Sequence, residues 1–353
     1  MKTSRSTTAS RRYESLPKKP GRARRVLLTS ALVLVFCLIC AGGFFIIYTL
    51  RGGTIANPLQ PYSAAREFPS HTAAVNTIRA ESFAANLCVV SGDVPLDGVT
   101  LGAEQEGLLL DIDNQSVMFS KGAYQRVYPA SITKIMTAML ALKYGNMDDI
   151  VTITQENVTL EAGSQVCGFV AGDRVTMNEL LHGLLVFSGN DAASAIATHI
   201  SGSETEFVNL MNSYAAQLGC TGTHFTNPHG LQNEEHYTTP YDIYLMLKEA
   251  LNYPEFTEIT QMPSYTLTYQ HADGTTVNTI LEATDQYLTG ESHAPKDVTV
   301  LGGKTGTTST AGNCLAILSQ NSYGKPFVSI VMGAQSKPEL YQQMNSLLQN
   351  INS

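Results

Sequence analysis

The chain has 353 residues, of which 43% are hydrophobic and only 15% charged, with a formal net charge of −8. Nine basic residues (Lys2, Arg5, Arg11, Arg12, Lys18, Lys19, Arg22, Arg24 and Arg25) crowd the first 25 positions against the single acid Glu14, so the remainder is acidic. No cluster of Lys and Arg follows Arg51, which argues against a nucleic-acid partner held through phosphate contacts.

Val26 to Leu50 is a run of 25 uncharged residues. At about 1.5 Å per helical residue it is long enough to cross a hydrocarbon core of about 30 Å. A cleaved signal peptide is the competing reading, but its apolar region is normally about 7–15 residues and ends in a small-x-small site. Here "CAGGFF" continues into further apolar residues. Residues 1–25 are therefore expected to be a basic cytoplasmic tail and residues 26–50 a single-pass transmembrane anchor, with everything beyond on the extracytoplasmic side. Residues 51–76, rich in Gly, Pro and small polar side chains, read as a stalk. Residues 77–353 read as one globular domain with a sizeable core. The closing segment "PELYQQMNSLLQNI" carries few basic residues for a lipid surface, so the N-terminus is expected to be the only anchor.

Within the domain, "GLLLDIDNQSVMFS" has two apolar runs around Asp113-Asn114 and predicts a hairpin. "SITKIMTAMLALKYG" places Ile132, Ile135, Met136, Met139, Leu140 and Leu142 at helical spacing and stops at Gly145. "MNELLHGLLVFSGNDAASAIATHIS" reads as a helical pair broken near Ser188-Gly189-Asn190. "DVTVLGGKTG", "CLAILSQ" and "FVSIVMGAQ" read as three strands, followed by a closing helix. A helical middle flanked by sheet from both ends of the chain predicts an α+β fold. Cys37 and Cys40 lie in the predicted span. Cys88, Cys167, Cys220 and Cys314 lie in the domain, where an oxidising compartment permits disulfides but the spacing selects no pairing, and a buried free thiol is an equal alternative.

Three short motifs carry chemistry. Ser-x-x-Lys occurs at Ser15–Lys18, Ser131–Lys134 and Ser322–Lys325, so the spacing alone means little. The middle copy lies in a predicted helix entered at Pro129, where residues i and i+3 share a face and a lysine amine reaches a serine hydroxyl. A nucleophile there has free backbone N–H groups beside its developing oxyanion, although serine at a helix start is also a common cap. Ser188-Gly189-Asn190 is a second candidate, with Ser319–Asn321 as its control. Lys304-Thr305-Gly306 is expected at the end of a strand, where Gly306 lets a substrate backbone approach closely. No metal or other cofactor is implied, because His224, His229 and His236 show no i, i+4 pair.

In this order, S-x-x-K, S-x-N and K-T-G match the serine–lysine acyl-transfer signature. The chain from about Gly107 onward resembles the D-alanyl-D-alanine carboxypeptidases, the low-molecular-mass penicillin-binding proteins. "YPASITKIMTA", "LLHGLLVFSGNDAA", "THFTNPHGLQNEEHYTT" and "GGKTGTTSTAG" are all similar to that family's segments. The resemblance implies the β-lactamase/DD-peptidase-like α+β fold: an antiparallel sheet flanked by helices, a mostly helical subdomain, and an active site between them.

It also implies residue roles. Ser131 attacks the penultimate carbonyl of a peptidoglycan stem peptide ending in D-Ala-D-Ala, and Lys134 takes its proton, with its pKa lowered by burial and by Lys304. Ser188 and Asn190 relay the proton to the leaving amine and hold the substrate amide. The N–H groups of Ser131 and Thr307 form the oxyanion hole. Lys304, Thr305, Gly306 and Thr307 receive the terminal carboxylate. β-Lactams are then covalent inhibitors. A class A β-lactamase is set aside because no E-x-x-L-N segment lies between Asn190 and Lys304, and a signalling receptor because a short tail offers no signalling domain. A scaffold without turnover is disfavoured by three intact motifs. The chain departs from the family in "GAQSKPELYQQ". Leu340 stands about where many members place a carboxylate-binding arginine, leaving Lys337 as the nearby cation.

Overall fold

The computed structural model describes residues 34–35 and 86–352. The chain divides into two units, Met1–Ile78 and Arg79–Ser353, and Ser131, Ser188 and Lys304 all belong to the second. The expected tail and stalk, and all of the expected anchor except Leu34 and Val35, lie outside the described residues. Among the described residues no helix is long and apolar enough to cross a membrane.

A five-stranded antiparallel sheet runs in the order β2-β1-β9-β8-β7. Its strands are β1 (Glu106–Asp111), β2 (Ser116–Lys121), β7 (Thr299–Thr308), β8 (Gly312–Gln320) and β9 (Pro326–Ala334). The predicted hairpin is β1–β2, and Asp111 closes its turn by accepting from the Asn114 main chain at 2.9 Å. Both faces of this sheet are covered, so its central strands are continuous apolar runs rather than alternating ones. Alternate residues still separate cleanly. Leu109, Leu315, Ile317 and Val331 pack under α7 (Lys337–Leu348), against Leu340, Met344 and Leu347. Leu108, Leu110, Ala316, Val328 and Ile330 face the helical part.

That helical part is built around α1 (Lys134–Tyr144), whose first eight residues are all buried. A helix apolar on every side must lie in the interior, and here it is wrapped by other helices. These are α2 (Met177–His182), α3 (Asn190–Ser201), α4 (Glu204–Leu218) and α5 (Pro240–Ala250), while α6 (Pro254–Thr260) packs against β7. A second sheet, β3-β4-β5-β6, comprises Ile150–Thr152, Arg174–Thr176, Ser264–Gln270 and Thr276–Glu282. Cys88, Cys167, Cys220 and Cys314 are buried and free.

Candidate active site

The nucleophile candidate is presented by a turn rather than by the α-helix. Ala130–Thr133 forms a 3-10 turn entered from Pro129, and α1 begins only at Lys134. The expectation of a single α-helix from Ser131 is corrected, with the pairing intact, because residues i and i+3 eclipse at 3.0 residues per turn. Ser131 Oγ and Lys134 Nζ lie 3.0 Å apart.

Lys134 is completely buried, and its Nζ also lies 2.6 Å from Asn190 Oδ1 and 2.7 Å from the His229 carbonyl oxygen. Burial pushes its pKa well below the usual lysine range, the charge of Lys304 pushes it further, and Cys167 and Asp191 oppose both. A neutral amine has two N–H groups and one lone pair. Two carbonyl-type oxygens take both hydrogens, which leaves the lone pair facing the Ser131 hydroxyl.

Lys304 is a second buried lysine, on β7, donating to Ser188 Oγ and to the Thr305 carbonyl, both at 3.0 Å. Burial lowers its pKa to about 7 against the opposing pull of Asp285. Ser188 ends a π-helical turn, Gly183–Phe187, in the left-handed conformation with φ of 69°. The serine takes the unusual backbone angle here, not Gly189. Gly189 is needed for space, since a Cβ there would collide with Cys167 Sγ. The Asp191 carboxylate fixes the Cys167 segment by accepting from the N–H groups of Cys167 at 2.8 Å and Gly168 at 3.0 Å.

The K-T-G segment lies inside β7 rather than at its end, and the close approach at Gly306 is made by the chain itself. A Cβ there would lie 2.9 Å from the Pro129 carbonyl oxygen and 3.0 Å from the Ser131 nitrogen. Glycine therefore lets the nucleophile turn pack flat against the sheet. Thr305 Oγ1 lies 2.6 Å from Thr284 Oγ1, and Thr307 donates to Asn313 Oδ1 at 3.2 Å.

All eight expected residues converge. Ser131, Ser188, Asn190, Thr305, Gly306 and Thr307 line one cleft of about 330 Å³. Lys134 and Lys304 lie buried behind its wall, each 3.0 Å from a cleft hydroxyl. Lys337 and Leu340 line the same cleft. Sequence reasoning missed the His229 carbonyl, the Asp191 carboxylate and Thr284, because a main-chain oxygen and a loop-anchoring acid leave no spacing signature. Histidines 224 and 229 serve their loop: His224 Nδ1 pairs with the Glu235 carbonyl oxygen at 2.6 Å and His229 Nδ1 accepts from Leu231 at 3.2 Å. Among the described residues no group of three or more His, Cys, Asp or Glu could hold a metal ion.

The family described as D-alanyl-D-alanine carboxypeptidase, peptidase family S11, matches residues 100–336. The chain is 35% identical over 252 residues to D-alanyl-D-alanine carboxypeptidase DacF of Bacillus subtilis, covering 69% of this chain and 61% of that protein. It is 32% identical over 252 residues to DacA of Haemophilus influenzae, again covering 61% of the relative. The chain thus spans about 61% of the length of these curated relatives. Among solved structures, the Streptomyces K15 DD-transpeptidase superposes with a TM-score of 0.64 at 27% identity, covering 69% of this chain and 94% of that one. The D-alanyl-D-alanine carboxypeptidase of Mycobacterium tuberculosis H37Rv gives 0.63 at 28% identity, covering 73% and 93%. By its motifs, its α+β fold and these matches, the chain belongs to the D-alanyl-D-alanine carboxypeptidase family of penicillin-recognising serine peptidases.

Proposed function

We propose that the protein is a serine-type D-Ala-D-Ala carboxypeptidase that removes the terminal D-alanine from peptidoglycan stem pentapeptides through an acyl-enzyme on Ser131. The observation that carries this reading is the buried Lys134 amine, 3.0 Å from Ser131 Oγ with two carbonyl oxygens on its other sides. Ser131 Oγ attacks the penultimate carbonyl carbon while its proton passes to Lys134 Nζ. The oxyanion rests on the main-chain N–H groups of Ser131 and Thr307. As the C–N bond breaks, Ser188 relays the proton that Lys134 accepted to the departing D-alanine nitrogen, leaving Lys134 neutral again, and Asn190 holds the substrate amide. Water then attacks the ester and restores Ser131. The substrate carboxylate lies against Lys304, Thr305, Gly306 and Thr307, which sit on one rigid strand. A β-lactam enters the same first step but leaves no diffusing amine, so the acyl-enzyme persists and the drug inhibits. Residues 26–50 hold the catalytic domain at the outer face of the cell membrane, a reading supported by their uncharged length and the basic flank before them.

Labelled penicillin should attach to Ser131 alone in the full-length chain, as located by tryptic mass mapping, and D-alanine should be released from a synthetic pentapeptide ending in D-Ala-D-Ala. Label on another residue, or a Ser131→Ala protein that still labels, contradicts the assignment. Labelling without release would replace the carboxypeptidase reading with that of a penicillin-binding sensor or scaffold.

A further inference from the structure

Ala130, immediately before Ser131, has φ of 47°. A single non-glycine residue persists in that region only when its surroundings hold it there. The Ala130 carbonyl accepts a hydrogen bond from Thr133 Oγ1 at 2.8 Å, and Thr133 Oγ1 lies 2.8 Å from His236 Nε2. On the other side of the ring, His236 Nδ1 accepts from the Thr226 main-chain N–H at 3.0 Å. An accepting Nδ1 assigns the neutral tautomer with its proton on Nε2. His236 therefore donates to Thr133, and the Thr133 hydrogen goes to Ala130. All three residues are buried, and burial together with His224 lowers the pKa of His236 to about 4, so the ring stays neutral near pH 7. Gly230, with φ of 90°, packs directly on the same carbonyl, where any Cβ would collide with the Ala130 oxygen.

We propose that His236 and Thr133 are positioning residues for the nucleophile turn: a one-way chain of donors, His236 Nε2–H to Thr133 Oγ1–H to the Ala130 carbonyl, that holds Ala130 left-handed and aims the Ser131 N–H into the cleft. The Ala130 carbonyl and the Ser131 N–H belong to one planar trans peptide unit and point in opposite directions. Tethering the oxygen therefore fixes the direction of the N–H. Neither His236 nor Thr133 lines the cleft. The inference rests on the reading of Ser131 as the acylated residue.

The test uses the full-length chain and the substitutions Thr133→Val, Thr133→Ser, His236→Phe and His236→Gln. For each, stopped-flow saturation with a chromogenic β-lactam separates reversible binding from the first-order acylation step, and a melting temperature is recorded. Thr133→Val and His236→Phe should slow acylation about 10- to 100-fold, the scale of a small misplacement of a reacting group, with reversible binding nearly unchanged. Thr133→Ser keeps the hydroxyl and His236→Gln keeps a donor, so both should recover most of the rate. Adding Ala130→Gly to Thr133→Val should also recover it, because glycine adopts positive φ without a tether. Equal acylation steps in Thr133→Val and wild type overturn the proposal. So does a loss that follows the melting temperature and is not recovered by Ala130→Gly, since that is a structural role only. A wild-type chain that takes no label overturns the reading of Ser131 and this chain of donors with it, whereas labelled wild type with unaffected variants overturns the donors alone.

Discussion

Ser131–Lys134 and Ser322–Lys325 share an i, i+3 spacing and no chemistry. The second pair lies in the turn between β8 and β9. Lys325 there is 3.8 Å from Asp113, and its side chain is 44% exposed. Its amine is open to solvent and faces a carboxylate, with no serine hydroxyl held against it. The first pair is wound into a 3-10 turn, its lysine is completely buried, and the lysine's Nζ meets a hydroxyl and two carbonyl oxygens. The difference lies in the removal of water from one amine and in a second cation behind it, which only the fold supplies. A motif of this kind states which atoms are available; the tertiary environment decides which of them is a base.

The largest effect should come from making the two pairs alike in charge. Lys134→Arg places a permanently protonated group beside Ser131, and Lys134→Met removes the base altogether. Either should slow acylation by a β-lactam by about 10²–10⁴-fold, the usual contribution of a positioned base. Lys325→Met should leave the rate at the wild-type value. Comparable losses at the two lysines would remove the distinction between them.

A smaller effect tests what holds Ser188 and Asn190 in place. Gly189→Ala drives a Cβ into Cys167 Sγ and to 2.9 Å from Asp191 Oδ1. Overpacking of this kind costs about 1–3 kcal/mol, read as a lower unfolding midpoint and slower labelling together. Adding Cys167→Ala removes the sulfur and should return part of both. No recovery in the double variant would place the decisive clash at Asp191 Oδ1 rather than at the sulfur.

These contacts also mark how far the sequence could be read. The hairpin, the three C-terminal strands, the break at Ser188-Gly189-Asn190 and all eight residues at the cleft were legible, because apolar periodicity and motif order are local properties. The tighter winding at Ser131, the left-handed Ser188 and the space-filling reason for Gly189 were not. Each is imposed by a segment distant in sequence: β7 behind Gly306, Lys304 at Ser188, Cys167 at Gly189. The His229 carbonyl at Lys134 is a main-chain atom 95 positions away, and no choice of side chain announces it. The charge-rich N-terminal segment was read from composition alone.

The pH dependence of acylation sharpens the role of the second cation. Lys134 must be neutral to accept a proton, and its pKa is depressed, so acylation should rise with pH through that lowered value and then level off. Lys304 is one of the causes of the depression. Lys304→Met should therefore raise the pKa of Lys134 and move the acid limb of the profile to higher pH, whatever it does to the plateau. The profile is best taken from the acylation step itself, since Lys304 also belongs to the proposed carboxylate site. An acid limb that stays in place would leave burial as the whole cause of the depressed pKa.

The smallest effect belongs to the other cation at the cleft. Lys304 is buried on β7 behind the cleft wall, whereas Lys337 opens α7 at the exposed rim. Leu340, about where many relatives carry an arginine, is buried and offers no charge. A lysine lacks the bidentate fork of arginine, and exposed ion pairs contribute about 0.2–1 kcal/mol. Lys337→Ala should therefore raise KM for a D-Ala-D-Ala pentapeptide by no more than about fivefold, the equivalent of that range, with kcat unchanged. Acylation by a β-lactam should barely move, because a rim charge steers the longer peptide more than a compact ring held by Thr305 and Thr307. Salt supplies the control: the KM difference between wild type and Lys337→Ala should shrink as ionic strength rises past about 0.15 M, where the screening length is about 8 Å. A difference that survives high salt would show Lys337 making a desolvated contact with the carboxylate. No difference at low salt would leave Lys304, Thr305 and Thr307 as the whole carboxylate site.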